Sequence, residues 1–159
     1  MAEITLVLHN IRSTHNVGSI FRTAEGFGVK KIICSGYTPY PTYAGDLRLP
    51  HIAEKITKQI HKTALGAETM VPFAYHETLS EWLERNTLPL LGLEQAPHSQ
   101  PIKDYAPPAE FALLLGEEVH GIEPQYLKHC TALLEIPMHG KKESFNVSVA
   151  AGIALFALT

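Results

Sequence analysis

Residues 110–116, with the sequence EFALLLG, form a short apolar run that ends at a glycine. Residues 88–94 (LPLLGLE) and 131–137 (TALLEIP) repeat this pattern of a brief apolar segment closed by a polar residue or proline. Short runs without polar alternation are typical of strands that are buried on both faces of a parallel sheet. The sequence therefore predicts an α/β fold in which helices cover both faces of a mainly parallel sheet.

Strand-like and helix-like segments alternate along the rest of the chain. Further strands are predicted over 4–9, 30–35 and 68–76, and Pro72 places the last of these at an edge or a bulge. Helices are predicted from apolar spacing and from start and stop signals over 16–26, 51–65, 77–86, 123–130 and 144–158. Because no repeat, low-complexity segment or domain boundary interrupts this order, residues 1–159 are expected to form a single domain.

Composition excludes several classes of protein. Hydrophobic residues make up 45% of the 159 residues and charged residues 18%, which suits a compact core. The net charge of −3 argues against nonspecific coating of nucleic acid, although a local basic patch stays possible. No apolar run reaches the about 18 residues of a membrane span, and no signal peptide is recognisable. These features predict a cytoplasmic protein.

The two cysteines, Cys34 and Cys130, have no metal-ligand spacing. Two free thiols in a reducing compartment are expected, and a disulfide between them stays open at this level.

Three polar clusters lie at the ends of predicted elements. The first is Asn16–Arg22, with the sequence NVGSIFR. Asn16 could simply cap the helix that begins there. Arg22, taken alone, would be a solvated or ion-paired residue.

The second cluster, Gly116–Gly121 (GEEVHG), places two glycines around a bend at the end of a predicted buried strand. A surface turn with solvated carboxylates is the ordinary alternative. His120 and the two glutamates could suggest a metal site, but no second His or Cys lies nearby at ligand spacing. We therefore expect no metal.

The third cluster is Ser144–Asn146, which precedes the apolar segment 147–158. Ser144 could be the N-cap of the last helix, and Asn146 is expected inside its first turn, where a polar group among apolar residues needs a partner. In parallel sheets ligands bind beyond the carboxyl ends of the strands. The second and third clusters follow two such ends and so predict a ligand site.

Other common site motifs are missing. There is no phosphate-binding G-x-x-x-x-G-K-[ST] loop and no G-x-G-x-x-G after the first strand. A G-x-S-x-G nucleophile elbow is also absent, so Ser144 is a poor hydrolase nucleophile.

Taken together, the three clusters resemble the SpoU (TrmH) class of the SPOUT RNA 2′-O-ribose methyltransferases, and the resemblance spans nearly the whole chain. Asn16 and Arg22 match the first family motif, and Gly116, Glu118 and Gly121 match the second. The third motif is usually Ser-Leu-Asn and here reads Ser144-Phe145-Asn146. Glu117 also departs from the family pattern, which has Asn or Ser there, and it adds a negative charge near an RNA site.

The resemblance implies a C-terminal trefoil knot and a homodimer whose active site is completed across the interface. It implies that S-adenosyl-L-methionine is the cofactor and that the knot loops bind it. The residues that carry this implication lie in four segments: Leu93 and Glu94, Gly116 and Gly121, Ile136 and Met138, and Phe145.

The same resemblance assigns catalytic roles. Arg22 is expected to act as an electrostatic clamp with the RNA phosphate, because a guanidinium with a pKa above about 12 is a poor base. Asn16, Ser144 and Asn146 are expected to orient the ribose and Arg22, and Glu118 to hold the site loops and to pair with Arg22. RNA contacts are predicted for Arg12, Arg22, Arg48, Lys141 and Lys142, for which plain solvation is the alternative.

The predicted activity is thus methyl transfer to a ribose 2′-hydroxyl of tRNA or rRNA. Two alternatives remain at this level. One is a noncatalytic module that binds RNA or S-adenosylmethionine, and the other is a SPOUT enzyme that methylates a base. Neither the modified nucleotide nor the need for a helper protein follows from the sequence.

Overall fold

A computed structural model describes residues 1–159. Seven strands are present: β1 (Glu3–His9), β2 (Lys31–Ser35), β3 (Phe73–His76), β4 (Leu90–Leu93), β5 (Gln100–Pro101), β6 (Glu110–Leu115) and β7 (Ala132–Glu135). They form one sheet in the order β3-β2-β1-β6-β4-β7-β5. Every neighbouring pair is parallel, so all the strands end at the same edge of the sheet.

Five helices connect and cover these strands: α1 (Thr14–Gly26), α2 (Pro50–Ala64), α3 (Leu79–Arg85), α4 (Pro124–Leu127) and α5 (Val147–Leu158). Pro50 and Pro124 stand in the first turns of α2 and α4, where the missing N–H of proline costs nothing. The alternation of strands and helices that the sequence predicts is confirmed.

The sheet is buried on both faces, as the apolar runs predict. Along β1, Leu6 and Leu8 belong to a core of 26 buried residues that includes residues of α1, α2 and α5. Val7 points to the opposite face and belongs to a smaller core of 9 residues with Trp82 of α3 and Tyr126 of α4. The two cores explain why the central strands carry no polar alternation.

Helices α1 and α2 approach each other at Gly18. A β-carbon at this position would lie 2.2 Å from the Ile60 carbonyl oxygen and 2.1 Å from the Thr63 hydroxyl oxygen. Gly18 therefore lets the two helix backbones come close on one face of the sheet.

Four segments differ from the prediction. Two helices are shorter than expected, since α4 ends at Leu127 rather than at 130 and α5 begins at Val147 rather than at 144. The other two segments differ in the kind of structure they form. The strand expected over 68–76 covers only Phe73–His76, since Ala67–Thr69 forms a 3-10 turn after Gly66, which has a φ of 105°. β3 lies at the sheet edge, as Pro72 indicates. The predicted loop 95–108 contains the short edge strand β5 and a second 3-10 turn, Ile102–Asp104. A two-residue strand that includes a proline leaves no recognisable periodicity in the sequence.

The N-caps also differ from the sequence-based interpretation. Ser13, not Asn16, caps α1: its hydroxyl oxygen accepts the N–H of Asn16 at 3.2 Å. Asn146, not Ser144, caps α5, and its Oδ1 accepts the N–H groups of Ser148 and Val149. Asn146 is thus an exposed cap rather than a polar group inside an apolar turn.

Helix α5 is only half buried within the chain. It packs against α1 and against the 3-10 turn at Ile102–Asp104. Its buried residues are Val147, Ala151, Ala154, Leu155 and Leu158. Val149 and Phe156 are exposed to 50% and 77% on the other side, which leaves an apolar face without a partner.

Cys34 and Cys130 are free thiols, as expected. Burial raises the pKa of Cys34 to about 12 and that of Cys130 to about 11, so both thiols stay protonated and unreactive near neutral pH. None of the helices is long and apolar enough to cross a membrane.

Candidate functional site

A cavity of about 280 Å³ lies at the carboxyl ends of β4, β6 and β7. All seven residues that the family resemblance assigns to the cofactor line it: Leu93, Glu94, Gly116, Gly121, Ile136, Met138 and Phe145. Two residues with expected catalytic roles, Glu118 and Ser144, line it as well. The second and third clusters therefore meet at one site, as the positions of the strand ends predict.

The turn after β6 is held by two glycines. Gly121 has a φ of 70°, a left-handed conformation that glycine adopts without strain. A β-carbon on Gly116 would lie 2.6 Å from the backbone carbon of Gly121. Glu117 and Gly121 form an antiparallel bridge across the turn. Only glycines allow the two sides of this turn to pack backbone against backbone.

Glu94, at the end of β4, fastens this turn to the neighbouring strand. Its carboxylate accepts the N–H of Ile122 at 2.6 Å and the N–H of Gln95 at 3.0 Å. A β-carbon on Gly121 would lie 1.9 Å from the same carboxylate. Glu94 therefore shapes the cavity wall, and both of its oxygens already accept backbone hydrogen bonds.

Glu117 is stabilised in its charged form. Burial works against its charge, but the backbone N–H groups of His120 and Val119 and the nearby charges of His120 and Arg12 outweigh it, so the pKa of Glu117 lies below its ordinary value. The N–H of His120 donates to the Glu117 carboxylate at 2.6 Å. The carboxylate of Glu117 therefore bonds to the backbone of its own turn.

The three clusters converge on one set of hydrogen bonds. The Nδ2 of Asn16, in the first turn of α1, donates to Oε1 of Glu118 at 3.3 Å. The Nδ2 of Asn146 donates to Oδ1 of Asn16 at 3.2 Å. Residues from the start of α1, the turn after β6 and the start of α5 therefore touch one another beside the cavity.

Arg22 does not belong to this set within one chain. Its side chain is exposed, does not line the cavity, and makes no hydrogen bond or ion pair within the chain. The expected pairing with Glu118 is wrong for the single chain, because Glu118 is bonded to Asn16 instead. Arg22 lies about two turns along α1 from Asn16, and that spacing turns the two side chains to different sides of the helix.

The basic side chains predicted to bind RNA differ in their exposure and in their hydrogen bonds within the chain. Lys141 and Lys142 are exposed and line a shallow depression with Glu143 and Ser144, next to the cavity. Arg12 is also exposed. Arg48 is different: it bonds both oxygens of Asp46 and the carbonyl oxygens of residues 40 and 41. The Arg48 guanidinium is therefore already paired within the chain, and its contact with RNA stays a prediction.

Several wall residues carry no family motif and were missed from the sequence. Glu135 lies at the end of β7 and accepts a hydrogen bond from the Ser99 hydroxyl at 2.8 Å. Val147 and Ala150 of α5 and Gln95 after β4 also line the cavity. The only feature of the sequence that could have indicated these residues as part of the cavity wall is their position next to predicted strand and helix ends. No group of three or more His, Cys, Asp or Glu side chains is arranged to hold a metal ion.

The sequence profile described as the SpoU rRNA Methylase family matches residues 3–156. The chain belongs to this SpoU family. The 23S rRNA (guanosine-2′-O-)-methyltransferase RlmB of Coxiella burnetii is 30% identical over 96% of this chain and 56% of its own length. The chain thus spans about half the length of the curated SpoU relatives that it matches.

Solved structures share the fold. An rRNA methyltransferase from Sinorhizobium meliloti with bound AdoMet superimposes with a TM-score of 0.79 at 23% identity, over 98% of this chain and 55% of that one. A structure described for the 2-OH methylation of C/U34 on tRNA has a TM-score of 0.75 at 22% identity, over 98% of this chain and 93% of that one. These likenesses show that this SpoU chain shares the α/β fold of those structures.

Proposed function

We propose that this chain transfers a methyl group from S-adenosylmethionine to a ribose 2′-hydroxyl of RNA. The observation that carries the proposal is the hydrogen-bonded contact of Asn16, Glu118 and Asn146. These residues come from the three SpoU motifs and meet at the rim of a cavity that the proposed cofactor residues line. A packing role alone does not require three exposed or half-buried polar residues from distant segments to meet there.

The cavity suits the proposed cofactor. Apolar side chains of Ile136, Phe145 and Val147 can face a nucleobase, and strand-end backbone groups can bond its edge. Glu118 and Glu143 also line the cavity, and their carboxylates would supply negative charge to a cationic cofactor. When bound, S-adenosylmethionine supplies an electrophilic methyl group.

The chain's own residues then have to aim and deprotonate the ribose hydroxyl. Asn16 and Asn146 each use one amide N–H in the hydrogen-bond set described above, so each keeps one N–H for a ribose oxygen. The hydroxyl of Ser144 makes no hydrogen bond as a donor within the chain and is free for the same task. Fixing the reacting groups in this way lowers the barrier by removing their freedom before the reaction.

We propose that Arg22 acts in the partner subunit of a homodimer. Its guanidinium is exposed and unpaired, and it lies outside the cavity of its own chain. On the partner's site it would hold the RNA phosphate and stabilise the charge that develops on the hydroxyl oxygen. Because arginine keeps its proton up to a pKa of about 12, we propose that the proton of the 2′-hydroxyl leaves through the RNA phosphate that Arg22 holds, as the new bond between the methyl carbon and the 2′-oxygen replaces the bond between that carbon and the sulfonium sulfur.

The exposed side of α5 supports the dimer. Val149 and Phe156 present an apolar surface to solvent on a helix that also carries the cap residue Asn146. Apolar patches of this kind on otherwise soluble folds mark contact sites between proteins. A dimer that covers this face places the partner's residues next to the site.

A trefoil knot formed by the C-terminal segment is part of the proposal. Helix α5 packs against both α1 and the 3-10 turn at Ile102–Asp104, so the segment between β4 and β6 lies against the last helix. A knotted chain that is pulled from residues 1 and 159 in a force experiment reaches less than its full contour length. Extension to the full length would contradict the knot.

The RNA substrate is proposed as tRNA or rRNA, because relatives named for each are similar to this chain. A cytoplasmic location, where both RNAs are found, stays a prediction.

The test is to incubate the protein with methyl-labelled S-adenosylmethionine and unmodified tRNA or rRNA transcripts, followed by digestion to nucleosides. Label in 2′-O-methylnucleosides is expected. Label on a base would identify a base methyltransferase instead. RNA or cofactor binding without any transfer would identify a noncatalytic module and overturn the proposal.

A further inference from the structure

Tyr37 and Arg12 lie at the ends of neighbouring strands and face each other across the surface beside the proposed site. The Arg12 guanidinium carbon lies 6.0 Å from the centre of the Tyr37 ring. This distance is at the outer limit of a cation–π contact, so the two side chains do not block each other from a ligand. Tyr37 is 53% exposed, so much of its ring is open to solvent.

The backbone on both sides of Tyr37 is rigid. The preceding Gly36 has a φ of 66° and receives a hydrogen bond on its carbonyl oxygen from the Tyr75 hydroxyl at 2.9 Å. The following Thr38 is buried, and its hydroxyl donates to the Leu8 carbonyl oxygen at 2.9 Å. An exposed ring on such a fixed frame loses little conformational freedom when a ligand contacts it.

The same frame fixes the position of Arg12. The N–H of Ile11, the residue before it, donates to the Thr38 hydroxyl oxygen at 3.0 Å, and Asn10 accepts the N–H of Tyr37 at 3.1 Å. The end of β1 and the segment after β2 are therefore joined on both sides of the pair. Neither the Arg12 guanidinium nor the Tyr37 hydroxyl makes a hydrogen bond within the chain.

This pair adjoins the proposed site. Arg12 directly precedes Ser13, the cap of α1, and Asn16 lies one turn further on. On its other side, Arg12 is close enough to Glu117 of the cavity wall to stabilise that carboxylate. An RNA nucleotide next to one held at Asn16 would pass over this surface.

We propose that Tyr37 and Arg12 form a subsite for a nucleotide that flanks the methylated one, in which the Tyr37 ring stacks on an unpaired base and Arg12 holds its phosphate. Sequence-tolerant recognition of single-stranded RNA commonly combines an aromatic face with a nearby cation. The inference rests on the proposed function, since it needs RNA at the neighbouring site.

Two probes of similar charge separate stacking from phosphate binding: a short fluorescent oligoadenylate and an abasic oligomer of the same length. Anisotropy titrations with S-adenosylmethionine present are compared for wild type, Tyr37→Leu, Tyr37→Phe and Arg12→Ala. Tyr43→Leu is the matched control, because Tyr43 is a half-exposed tyrosine of the same loop that packs edge-on against Phe73.

Tyr37→Leu is expected to weaken oligoadenylate binding about tenfold, the loss of one base stack, and to leave the abasic oligomer unaffected. Tyr37→Phe and Tyr43→Leu should match wild type. Arg12→Ala should weaken both oligomers and reduce the salt slope of binding by about one phosphate contact.

Equal affinity of wild type and Tyr37→Leu for oligoadenylate would overturn the subsite while the proposed function stands. A protein that binds neither oligomer and methylates no RNA would overturn both.

Discussion

Asn146 performs two tasks with one side chain. Its Oδ1 caps α5 by accepting the N–H groups of Ser148 and Val149, and its Nδ2 donates to Asn16. The start of the last helix and the geometry of the proposed site are therefore fixed by the same amide. Substitutions at this residue can separate the two tasks.

Asn146→Asp is expected to keep the cap, since Asp and Asn cap helices about equally well. It removes the N–H that reaches Asn16 and brings a second carboxylate toward Glu118. We expect a melting temperature near that of wild type with a loss of methyl transfer. Asn146→Ala should lose both, with a cost in stability of about 1 kcal/mol. Thermal unfolding and single-turnover methylation measure the two effects, and full activity of Asn146→Asp would contradict the role assigned to the amide.

Arg22→Ala is expected to reduce methyl transfer about a hundredfold or more, because it removes a charge that acts on the reacting oxygen. Affinity for S-adenosylmethionine should stay nearly unchanged, since the proposed contact of Arg22 is with the RNA phosphate rather than with the cofactor. Arg22→Lys should also fail largely, because a point charge cannot replace a planar two-pronged contact. Arg85→Ala removes an exposed arginine at the end of α3 and is the control. Turnover of Arg22→Ala within a few fold of wild type would rule out this role.

At the scale of single residues, the sequence predicts which residues lie at the site better than it predicts the contacts between them. The seven cofactor positions proposed from the motifs all line one cavity. The sequence does not identify the cap of α1, because Ser13 and Asn16 are both good capping residues and spacing cannot choose between them. The pairing of Glu118 with Asn16 rather than Arg22 depends on how α1 is rotated against the turn after β6, which no local pattern encodes.

At the scale of elements, the packing of α1 on α2 depends on a single missing side chain. Gly18→Ala would place a β-carbon within about 2 Å of the Ile60 carbonyl oxygen and the Thr63 hydroxyl. Overpacking of this kind costs about 1–3 kcal/mol, which exceeds the gain in helix propensity of about 1 kcal/mol.

A lowered melting temperature is therefore expected for Gly18→Ala. Gly26→Ala, in the same helix, meets no atom within 4 Å and should leave stability unchanged or slightly raised. Differential scanning calorimetry measures the melting temperatures of the two variants. Equal melting temperatures would show that α2 can move away from α1 without a loss of stability.

Element boundaries were predicted well where the signals are strong and poorly where they are short. β1, α1, β2 and β6 agree with the expected segments to within about two residues, the ordinary uncertainty of such boundaries. β5 escaped prediction because two residues paired at a sheet edge have no period to detect. The first part of 68–76 contains β-favouring residues, but the left-handed Gly66 directs it into a 3-10 turn.

At the scale of the whole molecule, we expect a second copy of the chain to cover the exposed side of α5. Phe156→Glu is expected to convert a homodimer into monomers, because it places a charge in the apolar face that the dimer would bury. Methyl transfer should fall with it if Arg22 acts on the partner's site. Met70→Glu changes an apolar residue of comparable exposure next to the first 3-10 turn and should leave both properties unchanged. Light scattering at micromolar concentration gives the mass, and a monomeric wild type would contradict the dimer.

The order of strands in the sheet could not be predicted from the sequence. The alternation of elements fixes a parallel α/β class, but the placement of β6 between β1 and β4 depends on long-range pairing. Periodicity also carries no information about whether the chain passes through one of its own loops. Family resemblance, rather than physical pattern, supplied that expectation.

The contact between Asn16 and Asn146 joins positions that are 130 residues apart. During synthesis, the first helix leaves the ribosome long before the residue that completes its hydrogen bonds. A nascent chain that still lacks Asn146 can already fold β1, α1 and β2, since these elements lie close in sequence. Its Asn16 then lacks the hydrogen bond that Asn146 donates at the rim of the cavity. The hydrogen-bond set of the proposed site is therefore completed only after α5 has left the ribosome and docked against α1.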